Sequence, residues 1–494
     1  MSRSGSLCRR DGDGWLLTPA NRTTSFADRA NAGQIVETLN DHVELPDGPA
    51  FPPAEARIKL KANTDMGKFS HKTMAMKLSE ASEVLDDRID EFLSLIQAEH
   101  NLEDSAFGNP ASQSTSEIVA VGRIASDTGE GRLNAASLVL ETSRRTGAGL
   151  RVPLRIDALQ SYSFFPGKIV ALRGANASGD FFAATEILDP PLLPPAASYP
   201  ADLDACNARL LPSPSDDDAA TPSAHPLTIL VAAGPYTTDA DLDFSPLHTL
   251  LETAKTLAAD ALILLGPFLD VEHPSVRTGA FSLPASSPVP PDKATLADVF
   301  KHHVSAPLVQ LAQALPSISI IMAPSVRDAA ARHVAWPQDR LTRKELGLPP
   351  QAKTVTNPAM LSLNETVLGV SSLDVLDAVR ASEAAGGGKR SGDFLARLCK
   401  EVVGQRHFFP VFPPPGRRRD EKAAGKGEGR EEAEEEEEEM GFAPVGAMLD
   451  VSYAKLGEWL NVRPDVLVCP SVLTPFAKVS NRRPFPGARL RPAC

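Results

Sequence analysis

Ala261-Leu262-Ile263-Leu264-Leu265-Gly266-Pro267-Phe268-Leu269-Asp270 decides the fold. Five consecutive apolar residues are the signature of a strand covered on both faces, and Gly-Pro stops it abruptly. The same pattern recurs on either side. Upstream, Leu227–Ala232 reads as a buried strand leading into Ala233-Gly234-Pro235-Tyr236, and Pro246–Ala259 reads as the helix that follows it. Downstream, Val299–Leu315 is helical in period. Ile318–Met322 makes a third strand leading into Ala323-Pro324-Ser325-Val326-Arg327-Asp328, and Asp465–Cys469 makes a late one. Buried strands alternating with helices describe an α/β layered domain over 227–494. Such domains carry their chemistry on loops at the carboxyl ends of the strands.

Ahead of this domain the periodicity changes. Glu117–Ile124, Ser137–Glu141, Val152–Ile156, Gly167–Arg173 and Phe181–Ile187 are short runs with strand character, separated by Gly, Asn, Asp and Ser. Five short strands over 112–189 suit a small closed barrel of OB type. Tyr162, Phe164, Phe165, Phe181 and Phe182 sit in adjacent pairs, which fits core and rim better than a platform for stacking bases. Any contact with DNA through this face is expected to be weak.

The segment 66–104 is read as an amphipathic helix, because Met74, Leu78, Ala81, Leu85, Ile89, Phe92 and Ile96 recur three and four apart over Met66–His100. It packs on its own domain or docks a partner. Residues 1–65 are too poor in clustered apolar side chains to offset chain entropy and are expected to be mostly disordered, apart from an amphipathic piece at Phe26–Leu39. Thr18-Pro19 there has the form of a proline-directed phosphorylation site. Residues 190–226, with Pro190, Pro191, Pro194, Pro195 and Asp216–Asp218, read as a Pro-rich linker. Residues 416–440 run from Arg417–Arg419 to an unbroken Glu434–Glu439, a solvated insertion whose basic end has the look of a nuclear-import signal.

Composition narrows the role. The chain has 494 residues, 43 of them proline, and a net charge of −13. That charge argues against a sequence-independent DNA coat. Its five cysteines contain no Cys-x-x-Cys pair, which excludes a zinc ribbon and makes a disulfide framework improbable. No secretory signal opens the chain, and the apolar run Ala258–Leu269 falls short of the ~20 residues that span a membrane. A soluble intracellular protein is expected. Gly386-Gly387-Gly388-Lys389-Arg390 lacks the Ser or Thr and the preceding strand of a phosphate loop, and reads as a solvent loop. His302 and His303 are neighbours on a helix, pointing too far apart to chelate one metal.

The layout of strand-end loops resembles the calcineurin-like metallophosphoesterases, but without their metal ligands. That family places Asp-x-His, Gly-Asp-x-x-Asp, Gly-Asn-His and a late Gly-His-x-His on these loops. Here none of the ten histidines has Asp two residues before it. Pro267 stands where the bridging Asp is expected, and only Asp270 remains of its motif. Pro324-Ser325 stands in place of Gly-Asn-His, and His407 is the last histidine of the chain. Proline offers a metal no electron pair. The residual positions are Pro267, Asp270, Pro324, Arg327, Asp328 and His407. The fold expected is therefore α/β plus all-β: an OB-type barrel followed by a calcineurin-like phosphoesterase fold lacking its metal ligands, with no catalytic residues and no cofactor.

That combination resembles the B subunits of the eukaryotic replicative DNA polymerases, most of all those of the polymerase alpha–primase complex of filamentous fungi. The resemblance runs from about residue 65 to 478. It is carried by Phe107-Gly108-Asn109-Pro110, by Phe165–Val170 and Val170–Asn176, and by the three loops quoted above. Phe408–Pro414 and Pro464–Ser471 complete it. It implies a non-catalytic nuclear subunit that clasps the C-terminal zinc-binding region of the polymerase alpha catalytic subunit, meets primase through the complex, and supports primer synthesis in the initiation of replication. Two departures stand out. The family begins with a helical module where this chain shows only a tether-like N-terminus. The family also continues past Phe476-Ala477-Lys478 into another strand, whereas 479–494 is rich in Arg and Pro, as an aberrant gene end is expected to be. Two alternatives remain. One is an active metal-dependent phosphodiesterase or exonuclease using Asp239, Asp241, Asp243, Asp270, Asp328 and His407. The other is the small subunit of the delta or epsilon polymerase.

Overall fold

The computed structural model describes residues 26–29, 32–43, 53, 55–128, 132–210, 226–281, 283, 289–290, 293–387, 393–416 and 448–479. In chain order its strands are β1 (Leu60–Ala62), β2 (Ser114–Ser126), β3 (Leu138–Thr142), β4 (Arg151–Arg155), β5 (Ser161–Phe164), β6 (Ile169–Asn176) and β7 (Phe182–Leu188). They continue with β8 (Ile229–Ala233), β9 (Ala261–Leu265), β10 (Ser319–Ala323), β11 (Ala352–Thr354), β12 (Ala359–Leu363), β13 (Thr366–Val370), β14 (Ala384–Gly387) and β15 (Val466–Val468).

Strands β2, β3, β4, β7 and β6 close a barrel in that order, with β4 and β7 parallel and the other pairs antiparallel. Alternation explains why β6 is apolar at nearly every position. Val170 and Leu172 point into the barrel core with Ile124, Leu140 and Phe182, while Ile169 and Ala171 pack outward with Val119 and Val121 against a helix. That helix is Leu78–His100, and it offers Ile89, Phe92, Leu93 and Ile96. It starts later than the spacing from Met66 suggests. Met74 has φ of +55° and is exposed, and the Lys77 N–H donates to Glu80 (2.8 Å), capping the first turn. Only a 3-10 turn, Met66–Phe69, precedes it.

The α/β part is a four-layer stack. Parallel strands β8, β9, β10 and β11 form one sheet, and β1, β12, β13 and β15 the other. Strand β9 shows how the layers are read. Ala261, Ile263 and Leu265 face the second sheet with Leu361, Leu368 and Val370, whereas Leu262 and Leu264 face helices Ser245–Thr256 and Ala306–Ala314. On the far side of the second sheet, Met360 and Val367 pack with helices Val375–Ser382 and Phe394–Gly404, and with Phe408, Phe409 and Trp459. Burying five such side chains in one strand is worth on the order of 10 kcal/mol before chain entropy is subtracted.

Three boundaries read from the sequence differ here. Within 1–65, Ile58 is buried and β1 pairs with β12. Arg57 reaches Asp260 (3.2 Å), so the last part of this stretch belongs to the second sheet. Within Phe26–Leu39 the described residues form a 3-10 turn, Phe26–Asp28, and bridge positions at Ile35 and Leu39 rather than a helix, and Glu37 accepts from Ala477 N–H (2.9 Å) and pairs with Lys478 (3.0 Å). Within 190–226, Pro200–Leu210 is a helix that buries Cys206, and Pro191 accepts from Arg406 (3.1 Å). Proline there stiffens a packed crossing rather than a free tether. Thr18, the charged insertion after Gly416 and the stretch after Val479 lie outside the described residues.

Gly386-Gly387 is the clearest correction. These residues belong to β14, which pairs antiparallel with β5 and joins the barrel to the α/β domain. A Cβ on Gly386 would meet the Tyr162 hydroxyl at 2.4 Å, and one on Gly387, at φ +96°, would meet the Gln160 carbonyl at 2.2 Å. These two glycines serve close approach, although Gly387 is exposed, and Gly388, Lys389 and Arg390 lie outside the described residues.

Candidate functional site

The loops after β8, β9 and β10 meet at one end of the parallel sheet, where their backbones leave little room. A Cβ on Gly234 would lie 2.0 Å from the Pro267 carbonyl, and one on Gly266 would lie 2.2 Å from Asp328 Oδ2. Tyr236 is buried above them. Its hydroxyl lies within donating distance of the carbonyls of Leu265 (3.0 Å) and Ala232 (3.1 Å), and burial holds its pKa well above the usual phenol value.

Asp270 and Asp328, the carboxylates left at the residual motif positions, are already engaged. Asp328 is buried and turned inward. Its Oδ1 accepts from the N–H of Phe268 and of Leu269 (3.1 Å), and its Oδ2 accepts from Ser325 N–H (2.8 Å). Burial outweighs those donors and raises its pKa to about 7. Asp270 is buried as well, forms an isolated bridge with Asp328, and receives the fork of Arg327 through Nε (3.0 Å) and Nη2. The same guanidinium reaches Glu272 (3.1 Å). A fork on a carboxylate satisfies both oxygens in a fixed plane. The Pro324 carbonyl accepts from the Ser372 hydroxyl (2.7 Å), and Pro267 contributes backbone only to the tight packing against Gly234.

The remaining candidates do not join this cluster. His407 is buried beside Trp336, with Nδ1 accepting from Phe409 N–H (2.9 Å) and Nε2 facing the Ala454 carbonyl (2.9 Å). These partners assign the Nε2–H tautomer. Burial, then the Arg88 guanidinium, lowers its pKa to about 3. Asp241 and Asp243 cap their own loop, Asp241 accepting from Asp243 N–H (3.3 Å) and Asp243 from Ser245 N–H (2.9 Å), and Asp239 is exposed beside them. His302 and His303 are T-stacked on each other, and His303 also stacks on Phe244. Among the described residues, no group of three or more His, Cys, Asp and Glu side chains is placed to hold a metal ion.

Sequence reasoning missed the residues that lock this end of the sheet. Gln338 and Asn357 are fully buried. The Gln338 amide donates to the Ser325 (3.0 Å) and His333 carbonyls, and Asn357 donates to Gln338 Oε1 (2.9 Å) and to the Ser372 hydroxyl (2.7 Å). The network ties the β10 loop to the second sheet. Its one sequence signal is the pair of polar residues standing beside proline, at Pro337-Gln338 and Asn357-Pro358, inside otherwise apolar surroundings.

The joint between barrel and α/β domain is also built of specific contacts. Gln405 uses its amide on both sides of Ile169, accepting from its N–H and donating to its carbonyl (both 2.9 Å). Lys168 pairs with Glu401 (2.5 Å), and Glu383 receives Ser163 (2.6 Å) and Arg397 (3.0 Å). Helix Leu78–His100 spans both bodies. Arg88 reaches Glu458 (2.9 Å) and the Gln405 carbonyl (2.6 Å), while Asp86 and Asp90 hold Arg144 and Ser143 of the barrel.

Comparison with known proteins agrees with this arrangement. A family profile for the OB domain of the DNA polymerase alpha B subunit matches residues 82–190, and one for the DNA polymerase alpha/epsilon B subunit matches residues 229–478. The DNA polymerase alpha B subunit of Schizosaccharomyces pombe is 36% identical over 474 residues, covering 94% of this chain and 73% of that protein. The Saccharomyces cerevisiae protein of the same name is 33% identical, covering 91% and 63%, and that of Rattus norvegicus 27%, covering 81% and 62%. The chain thus spans between three fifths and three quarters of these relatives' lengths. All three carry the alpha name, which sets aside the delta and epsilon alternative. With a barrel where one profile falls and the layered domain where the other falls, the chain belongs to the family of DNA polymerase alpha B subunits.

Proposed function

We propose that this chain is a non-catalytic scaffold subunit of the polymerase alpha–primase complex. It holds the C-terminal zinc-binding region of the catalytic subunit, meets primase through the complex, and supports primer synthesis in the nucleus. On this reading the layered domain over 227–494 is a metallophosphoesterase fold that has lost its chemistry. The observation that carries the proposal is the state of the strand-end loops. Asp328 is spent on three backbone N–H groups and Asp270 on the Arg327 fork, and Pro267 packs its backbone where a ligand side chain is required. Two-metal hydrolysis needs free carboxylates and imidazoles converging on one point. The joint described above supports the scaffold role, because it holds the two modules together so that one partner can contact both; an obligate interface typically buries about 2,000 Å² or more.

Co-expression with the C-terminal region of a polymerase alpha catalytic subunit tests the proposal. A stoichiometric complex surviving moderate salt is expected, and failure to co-purify overturns it. The hydrolase alternative is tested separately. Manganese-stimulated cleavage of a model phosphodiester, lost in Asp270→Ala, would restore an enzymatic function.

A further inference from the structure

A groove of about 700 Å³ lies on another part of the molecule, where the outer edges of the two sheets face each other. One wall is β1, the edge of the second sheet, and the other is β11, the edge of the parallel sheet. Hydrogen bonding on β11 is one-sided. The Gln351 carbonyl accepts from Ile320 N–H (3.2 Å) and Val355 N–H donates to Met322 (2.9 Å), so the intervening Thr354 turns its N–H and carbonyl away from β10. Thr354 lines the groove. Across it, the Asn364 N–H reaches Lys59 (2.9 Å) and the Asn63 N–H reaches Met360 (2.8 Å), which leaves Leu60 and Ala62 pointing their backbone groups outward in the same way. The floor is apolar, with Leu341, Val355 and Leu361 buried beneath.

The rim is basic in a chain that is acidic overall. Arg340, Arg343, Lys344 and Lys353 line it and are exposed, and Arg332 lines it while paired with Glu345 (2.8 Å); among the described residues Asp339 is the one carboxylate in the lining, and it already accepts from Ser70 (2.9 Å). Among the described residues no aromatic side chain lines the groove, so these residues offer bases nothing to stack on. An edge strand, an apolar floor and a cationic rim together fit one kind of occupant better than a phosphate backbone, which uses the rim alone. We propose that this groove binds an extended segment of a partner protein in which acidic residues alternate with apolar ones, added as a strand to β11. Alternation sends one set of side chains to the floor and the other to the rim, and the main chain completes the sheet. The inference does not depend on the scaffold reading, because it is argued from the groove's own edge strands, floor and rim.

The test uses the full chain and fluorescein-labelled peptides of about 12 residues, one alternating Asp with Val and one alternating Lys with Val, together with a labelled oligothymidylate. The Asp–Val peptide is expected to bind, to bind at least about 10-fold less well to Arg340→Glu/Lys344→Glu, and to weaken as salt rises. It is also expected to slow hydrogen exchange at the Thr354 amide and to lose affinity to Thr354→Pro, which removes the edge donor and leaves the rim intact. Should the proline variant misfold, the charge-reversal variant and the exchange measurement on the unaltered chain decide the matter. Competition by oligothymidylate with no protection at Thr354 overturns the proposal in favour of phosphate binding. Equal binding of the two peptides, or none, overturns it too, and leaves Lys61 and Lys353 as guards that keep the sheet edges from pairing.

Discussion

Lowering the pH should unlock His407 in a measurable way. The imidazole is neutral in the fold, its Nδ1 lone pair accepting from Phe409 N–H and its Nε2–H directed at Ala454. A second proton must sit on Nδ1 against an N–H, in a buried site near the Arg88 guanidinium, so the pKa falls from 6.5 to about 3. Above pH 6.5 neither the folded nor the unfolded chain binds this proton, and stability is unaffected. Below it the unfolded chain takes the proton and the folded chain does not, so stability is lost as pH falls, down to about pH 3. At about 1.4 kcal/mol per unit, the loss is about 2 kcal/mol at pH 5. Asp328 works in the opposite direction. Its pKa, raised from 3.8 to about 7, makes the fold bind a proton that the unfolded chain has released, so this stabilisation declines as pH rises through the same window. The wild-type profile between about pH 4 and 6.5 therefore hides both groups, and the difference from a variant separates them. His407→Asn keeps an acceptor for Phe409 and abolishes the titration. Urea denaturation at about pH 7.5 and pH 5 should show this variant less stable at the higher pH through lost packing on Trp336, with the gap narrowing by about 2 kcal/mol at the lower. A gap that does not change with pH refutes the assignment of a buried neutral imidazole.

Three other outcomes follow from the same contacts. Asp328→Asn turns an amide donor toward Ser325 N–H or toward the Phe268 and Leu269 pair, and should cost about 1–3 kcal/mol at pH 5 but less at pH 8, where the wild type no longer holds its proton; thermal melts at the two values check this. Arg327→Ala leaves the buried Asp270 without its fork and should destabilise by about 1–3 kcal/mol, discounted for the partly exposed guanidinium, with Arg327→Lys recovering only part of it in denaturant titrations. Gly387→Ala should break the β5–β14 pairing at a cost of about 1–3 kcal/mol and raise amide exchange at Ser161–Phe164, while exchange in the barrel strands stays slow.

What the sequence made legible depended on side chains repeating at a short period. The five barrel strands and strands β8, β9 and β10 announce themselves because each is apolar on one face or both, and turn residues separate them. The loops carrying Pro267, Asp270, Pro324, Arg327 and Asp328 were locatable because they follow such strands. Their internal pairing was not, since it is set by a fork between Arg327 and Asp270, 57 residues apart, and by backbone donors that no motif encodes. Gly386-Gly387 misled for the opposite reason. A strand made of glycine has no side chains to show a period, and its partner Tyr162-Ser163 lies more than 200 positions away. Strand β1 escaped because three residues are too short for alternation, and its place rests on Ile58 and Arg57, which only burial reveals.

The same physics bears on what the acids do at a site proposed to be inert. A buried carboxylate costs several kcal/mol unless its charge or its lone pairs are answered. Here Asp270 is answered by a guanidinium, and Asp328 by three N–H groups together with a pKa close to neutrality. Both answers are internal, and both fasten the β9 loop to the β10 loop. Removing either acid would release that joint, so the carboxylates serve as fasteners in this chain. Stiffness at this sheet end reaches the rest of the domain, since Gln338 and Asn357 carry the same loop across to Ser371 and Ser372 of the second sheet. The scaffold role proposed above would gain from such stiffness, because ordering that is already present in the free chain need not be supplied by an interface on binding.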